Sequence, residues 1–223
     1  MSSAHVTAGE VVEPGGEGTT LGLPHIKVGF WTFIGSECLF FGSLLAAYFA
    51  YRGSSLSGPF PHEPWVRPDG TTVAPILNIL VTSVSAFVLL FSSWAMVMAL
   101  HGIQANKRGQ ARAYLFLTAV LGLIFLGFQS FEFTEFYLKG LTLQGNLFGS
   151  TFFVLTGFHG THVAFGVLWL LTLFVSDLRK PIRPNQSLRV EICGLYWHFV
   201  DIVWIVIFTF VYLVPTVERF AKS

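Results

Sequence analysis

Five apolar runs, at about residues 28–51, 75–100, 112–138, 149–175 and 192–215, constrain this chain more than any other feature of it. A bilayer core needs roughly 20 predominantly apolar residues per helix. Inside lipid each backbone N–H and C=O must find its partner within the protein, which leaves helices as the solution for isolated runs of this length. Composition agrees, because only 11% of the 223 residues are charged and 53% are hydrophobic. A soluble domain carries about a quarter charged residues. The reading is an all-α, polytopic membrane protein with five transmembrane helices.

The connections are short, so successive helices run antiparallel. The longest, residues 52–74, contains SGPFPHEP and RPDGTT, whose prolines and glycines punctuate rather than span. Residues 1–26 hold Glu10, Glu13 and Glu17, are rich in glycine and lack the apolar core of a signal peptide. They read as a flexible tail, and residues 27–223 as the membrane domain. A net charge of +1 without a basic block gives no sign of a nucleic-acid partner, and none is expected. Cys38 and Cys193 are too few for a disulfide framework and read as small apolar packing residues.

Lysine and arginine are distributed unevenly over the two faces. Lys27, Lys107, Arg108, Arg112, Arg179, Lys180, Arg183 and Arg189 share one face; Arg52, Arg67, Lys139, Arg219 and Lys222 share the other. The positive-inside rule therefore places the N-terminus in the cytoplasm and the C-terminus outside.

Ionisable residues inside the spans cost about 2.5–3.5 kcal/mol each at mid-helix on insertion scales, so each marks a position with a task. The first span holds Glu37 in GSECLFFG. The third holds Glu132 and Glu135 in SFEFTEFY, the fourth His159 and His162 in TGFHGTHVAFG, and the fifth His198 and Asp201 in YWHFVDIVW. The last three sets are i,i+3 pairs, which share a helix face. At about 1.5 Å per residue, Glu37, His162 and Asp201 fall within roughly a turn of one another in depth, whereas Glu132 falls near the outer surface. Seven groups so dispersed cannot serve one metal. Glu37, His162 and Asp201 could form a metal site; the alternative is that Glu37 pairs with His162 by a hydrogen bond across helices. Glu132 and Glu135 read as hydrated structural groups. Gly35, Gly42, Gly122, Gly127, Gly157, Gly160 and Gly166 suggest close helix approach. The sequence contains no CxxCH haem-attachment motif, P-loop, GxGxxG fingerprint or GxSxG elbow.

Three stretches, GSECLFFGSLLAAYFAYR, GSTFFVLTGFHGTHVAFG and YWHFVDIVWIVIFTFVYL, closely resemble subunit III of the haem-copper terminal oxidases, in its five-helix bacterial form. The resemblance covers about residues 27–215. It implies two helix bundles forming a V-shaped cleft that holds phospholipid, in a bacterial cytoplasmic membrane. It also implies that this chain carries no redox centre or metal, with haem and copper residing in partner subunits I and II. Subunit III packs on subunit I and supports its proton uptake and its durability during O2 reduction. Glu37 matches the family's buried carboxylate and His162 its partner; His198 and Asp201 match a structural polar motif. Details of the motifs resemble aa3-type cytochrome c oxidases more than quinol oxidases, and an accessory subunit of nitric oxide reductase shares the scaffold. Arg179, Lys180 and Arg183 are the candidates for phospholipid headgroups. The rivals from other classes are a stand-alone membrane metalloenzyme and a proton-coupled transporter.

Overall fold

A computed structural model describes residues 25–52, 65–66, 70–73 and 79–222. Its long helices are α1 (His25–Tyr51), α2 (Ile79–Gln104), α3 (Arg108–Leu138), α4 (Leu147–Arg179) and α5 (Leu188–Ile207), the last continuing through a π-helical segment, Phe208–Leu213, into α6 (Val214–Lys222). Five helices, counting Leu188–Val217 as one, are long and apolar enough to cross a membrane. The segment read as a tail lies outside the described residues except for His25 and Ile26, which already belong to α1. In the connection after α1, Trp65–Val66 (β1) and Thr72–Val73 (β2) pair as a small antiparallel hairpin.

The helix ends follow local chemistry. At the end of α3, Gly140 takes a positive φ of 92°. The Leu141 N–H bonds the Phe136 carbonyl at 2.9 Å and the Gly140 N–H bonds that of Tyr137 at 3.0 Å. This is the Schellman closure, in which a glycine in the left-handed region satisfies the last helical carbonyls. Leu141 and Phe136 are both buried, which supplies the apolar contact that accompanies it. Asn146 caps α4 by accepting the Gly149 N–H at 2.6 Å. The π-helical turns lie directly before Pro215. A proline ring clashes with the carbonyl four residues back in an α-helix, and a wider turn there relieves the conflict. The last span therefore runs on past residue 215 instead of ending there.

α2 and α3 form a tight antiparallel hairpin, α3 packs on α4, and α5 packs on both α2 and α4; α1 packs on α4 and α5. Trp197 and Trp204 of α5 form the centre of the core with Phe125, Phe152, Leu89 and Met96. Trp197 fits because Gly122 and Gly166 lack side chains: a Cβ on either would approach its ring within 2.6 Å and 2.9 Å, respectively. The outward faces carry Leu39, Leu80, Phe87 and Leu168, each more than 60% exposed. That is the surface of a protein solvated by lipid. α5 is the most enclosed of the spanning helices and α1 the least. Only Ile34, Phe41 and Tyr48 of α1 are buried, spaced two turns apart in a single stripe.

Close approach is confined to part of the glycine set. Gly160 packs against the Gln129 amide, but a Cβ added at Gly35, Gly42, Gly127 or Gly157 would meet nothing within 4 Å. Cys193 is buried as expected of a packing residue, whereas Cys38 is exposed on α1.

Candidate functional site

α1 touches the remaining helices along so narrow a stripe that a groove opens on each of its sides. The groove between α1 and α4 encloses about 550 Å³, and Phe30, Phe33, Glu37, His162 and Trp169 line it. The groove between α1 and α5 encloses about 520 Å³; its lining is apolar, with Trp31, Phe41, Gly42 and Ile202, apart from Cys38 and His198. The missing side chain of Gly42 helps keep the second groove open.

Glu37 and His162 meet at the first groove, with Glu37 Oε2 at 3.2 Å from His162 Nε2. Both side chains are 19% exposed. The Phe41 ring rests edge-on against His162 at 5.0 Å. From α5, the Tyr196 hydroxyl, which lines the same groove, donates to the His162 carbonyl at 3.1 Å. The pairing inferred from depth along the helices is thus present across α1 and α4.

The other ionisable groups disperse. His159 is fully buried and stacks on Trp204 with ring centroids 4.9 Å apart. Neither of its ring nitrogens has a partner among the described residues. It shares α4 with His162, yet a 60° offset around the helix sends one ring into the core and the other to α1. His198 Nδ1 lies 3.1 Å from Ser93 Oγ on α2, and Ser93 is also in reach of the Asp201 carboxyl. Glu132 is only 4% exposed and accepts a hydrogen bond from the Thr82 hydroxyl, so it is a core group and not the hydrated one expected. Glu135 pairs with Lys139 at 2.7 Å. Arg179, Lys180 and Arg183 are exposed at the end of α4 and in the loop that follows. Among the described residues, no three histidine, cysteine or acidic side chains gather as a metal-ligand set. The metal-site alternative built on Glu37, His162 and Asp201 therefore lacks its geometry.

Two ion pairs that join one helix to another escaped the sequence reading. Arg112 Nε donates to Asp177 Oδ2 at 2.6 Å, tying α3 to α4, and Lys27 Nζ meets Glu191 Oε1 at 2.5 Å, tying α1 to α5. Two of the cations that set the charge bias are thus neutralised by carboxylates on the same face. A hint lay in Asp177 and Glu191 themselves, acids standing among basic residues in loop 176–191 and its flanks.

Comparison with known proteins covers nearly the whole of this architecture. Residues 11–215 match the family described as Cytochrome c oxidase subunit III. The cytochrome c oxidase subunit 3 of Bacillus sp. (strain PS3) is 34% identical over 190 residues, which is 85% of this chain and 86% of that protein. That of Bacillus subtilis (strain 168) is 33% identical over 85% of this chain and 86% of its own length. The quinol oxidase subunit 3 of Bacillus spizizenii is 33% identical as well, over 83% of this chain and 85% of its own. The five membrane-spanning helices and a match of this extent lead to one conclusion: the chain is a multi-pass membrane protein that belongs to the cytochrome c oxidase subunit III family, a subunit of the haem-copper oxidase complexes.

Proposed function

We propose that this chain is the third subunit of an aa3-type cytochrome c oxidase that reduces O2 to water and pumps protons. The chain itself performs no redox step. It packs on subunit I, alongside subunit II, binds phospholipid, and supports proton uptake and the lifetime of the complex in a bacterial cytoplasmic membrane. Haem and copper belong to the partner subunits. The observation that carries the reading is the Glu37–His162 pair, held at the edge of an apolar groove within a chain matched to the family over residues 11–215.

The grooves beside α1 serve as the lipid cleft in this reading. Their apolar walls suit acyl chains, and Arg179, Lys180 and Arg183 suit anionic headgroups. The N-terminus lies in the cytoplasm, on the side of the basic cluster, and residues 27–223 form the membrane domain.

A quinol oxidase is the second reading, favoured by relatives of that name whose identity equals that of the cytochrome c oxidases to within one percentage point. Steady-state oxygen consumption by the purified complex separates the two. Reduced cytochrome c should drive it; activity with a quinol alone would assign the chain to the other branch.

A further inference from the structure

We propose that the core between α3, α4 and α5 binds at least two ordered water molecules, held by Gln129, His159, Asp201 and Trp204. Five polar atoms carry the proposal. Gln129 Oε1, both ring nitrogens of His159, Asp201 Oδ1 and Trp204 Nε1 are buried and have no hydrogen-bond partner among the described residues. The four residues are 7%, 0%, 5% and 2% exposed, in that order, so a neighbouring subunit cannot supply what these atoms need. A buried polar atom without a partner carries its full desolvation cost, and native cores avoid that cost with protein or water partners.

The atoms belong to one neighbourhood. His159 of α4 stacks on Trp204 of α5 at 4.9 Å, and Phe125 of α3 stands edge-on to both rings, at 5.8 Å and 4.9 Å. Gln129 follows Phe125 by one turn on the same face of α3. Its Nε2 donates to the Thr156 carbonyl at 2.7 Å. Its Oε1 lies against Gly160, where a Cβ would stand only 2.6 Å away. Thr156 and Gly160 flank His159 on α4, so the carboxamide sits beside the imidazole. Asp201 precedes Trp204 by one turn on the same face of α5.

The chemistry of the five atoms selects the occupant. The Trp204 N–H only donates and Gln129 Oε1 only accepts. A neutral imidazole does one of each, whichever tautomer it adopts. Asp201 Oδ1 has a lone pair to offer whether or not its carboxyl holds a proton. A cation would meet the indole N–H, and an anion would meet the carboxamide and carboxyl oxygens. Water donates twice and accepts twice, which suits a mixed set of this kind. The two nitrogens of one imidazole point in diverging directions, so a single molecule cannot serve both.

The polar seam also continues out of the core. Ser93 of α2 is in reach of the Asp201 carboxyl and lies 3.1 Å from His198 Nδ1. His198 in turn lines the groove between α1 and α5. The waters thus extend a polar layer and tie α3, α4 and α5 together by bonds that the side chains do not make directly.

A cryo-EM map of the intact complex, at a resolution that shows ordered water, tests the proposal. Peaks should stand about 2.7–3.2 Å from each ring nitrogen of His159. Each should also contact Gln129 Oε1, Asp201 Oδ1 or Trp204 Nε1. A map with no peak between these groups, or with the side chains paired directly to one another, overturns the proposal. Two variants test it by the sign of a difference. His159→Gln and His159→Leu lose the same ring stack and are close in volume, but only the first keeps a donor and an acceptor for water. In a hydrated core the complex with His159→Gln melts at the higher temperature. In a dry one His159→Leu does, because it removes orphaned polar atoms outright, and that order also overturns the proposal.

Discussion

Arg112 grips Asp177 with two donors: its Nε reaches Oδ2 at 2.6 Å and its Nη2 reaches the Asp177 carbonyl at 2.8 Å. The second carboxylate oxygen accepts the Ile182 N–H at 2.7 Å. One nearly buried acid thus fixes the end of α4, the start of α3 and the loop that carries the exposed cations. Arg112→Gln leaves that acid with only the loop amide, and hydrogen bonds to charged groups contribute about 1.5–3 kcal/mol. The thermal midpoint of the complex should fall clearly for Arg112→Gln. It should barely move for Arg179→Gln, which removes an exposed cation from the last turn of α4. Equal behaviour of the two variants would contradict the clamp.

Gly122 and Gly127 lie on the same helix but differ in what surrounds them. A Cβ at Gly122 would stand 2.6 Å from the Trp197 ring and 2.7 Å from Val167, whereas one at Gly127 meets nothing within 4 Å. Gly122→Ala should destabilise the chain by about 1–3 kcal/mol through overpacking. Gly127→Ala should leave it unchanged or stabilise it by roughly 0.5–1 kcal/mol, the helix-propensity gain. Thermal melts of the isolated chain in one detergent compare the pair directly.

Glu132 is held in the core by the Thr82 hydroxyl. Thr82→Val removes that donor and leaves a buried carboxyl group short of a partner, at a cost of about 1–3 kcal/mol. Glu132→Gln keeps an oxygen that accepts the same bond and should cost less. The order of the two melting temperatures checks this; a Thr82→Val chain as stable as Glu132→Gln would show that the bond contributes little.

Replacing Arg179, Lys180 and Arg183 together with Gln should reduce the anionic phospholipid that stays with the complex. A cation near the membrane surface contributes about 1 kcal/mol to such binding. Mass spectrometry of lipids retained after mild purification should show at least a tenfold weaker hold. An unchanged lipid complement would remove these residues from the account.

How much of this could be read from the sequence depended on the range of the interaction. The spans were legible because lipid permits little else for a long apolar run. Their ends drifted by several residues, as at α4, read to about 175 and found to Arg179. Turn chemistry decides those positions and hydropathy does not register it. Glu37 and His162 could be matched because helix rise converts sequence position to depth. Depth says nothing of azimuth, and so Glu132, placed at a hydrated surface, turned out to face Thr82 inside the bundle. Azimuth likewise separated His159 from His162 and left Asp201 opposite Ser93 rather than beside Glu37. The Arg112–Asp177 and Lys27–Glu191 pairs were hidden for a related reason, since each joins helices whose mutual rotation only packing fixes.

The central claim is that this chain works as the third subunit of a terminal oxidase, with the redox centres in its partners. Affinity purification of the chain from its native membranes in mild detergent, followed by an absorption spectrum and metal analysis, tests it most directly. The account expects haem and copper to arrive with larger partner subunits and to stay with them when this chain is stripped away. A chain that purifies alone with its own stoichiometric metal would contradict it.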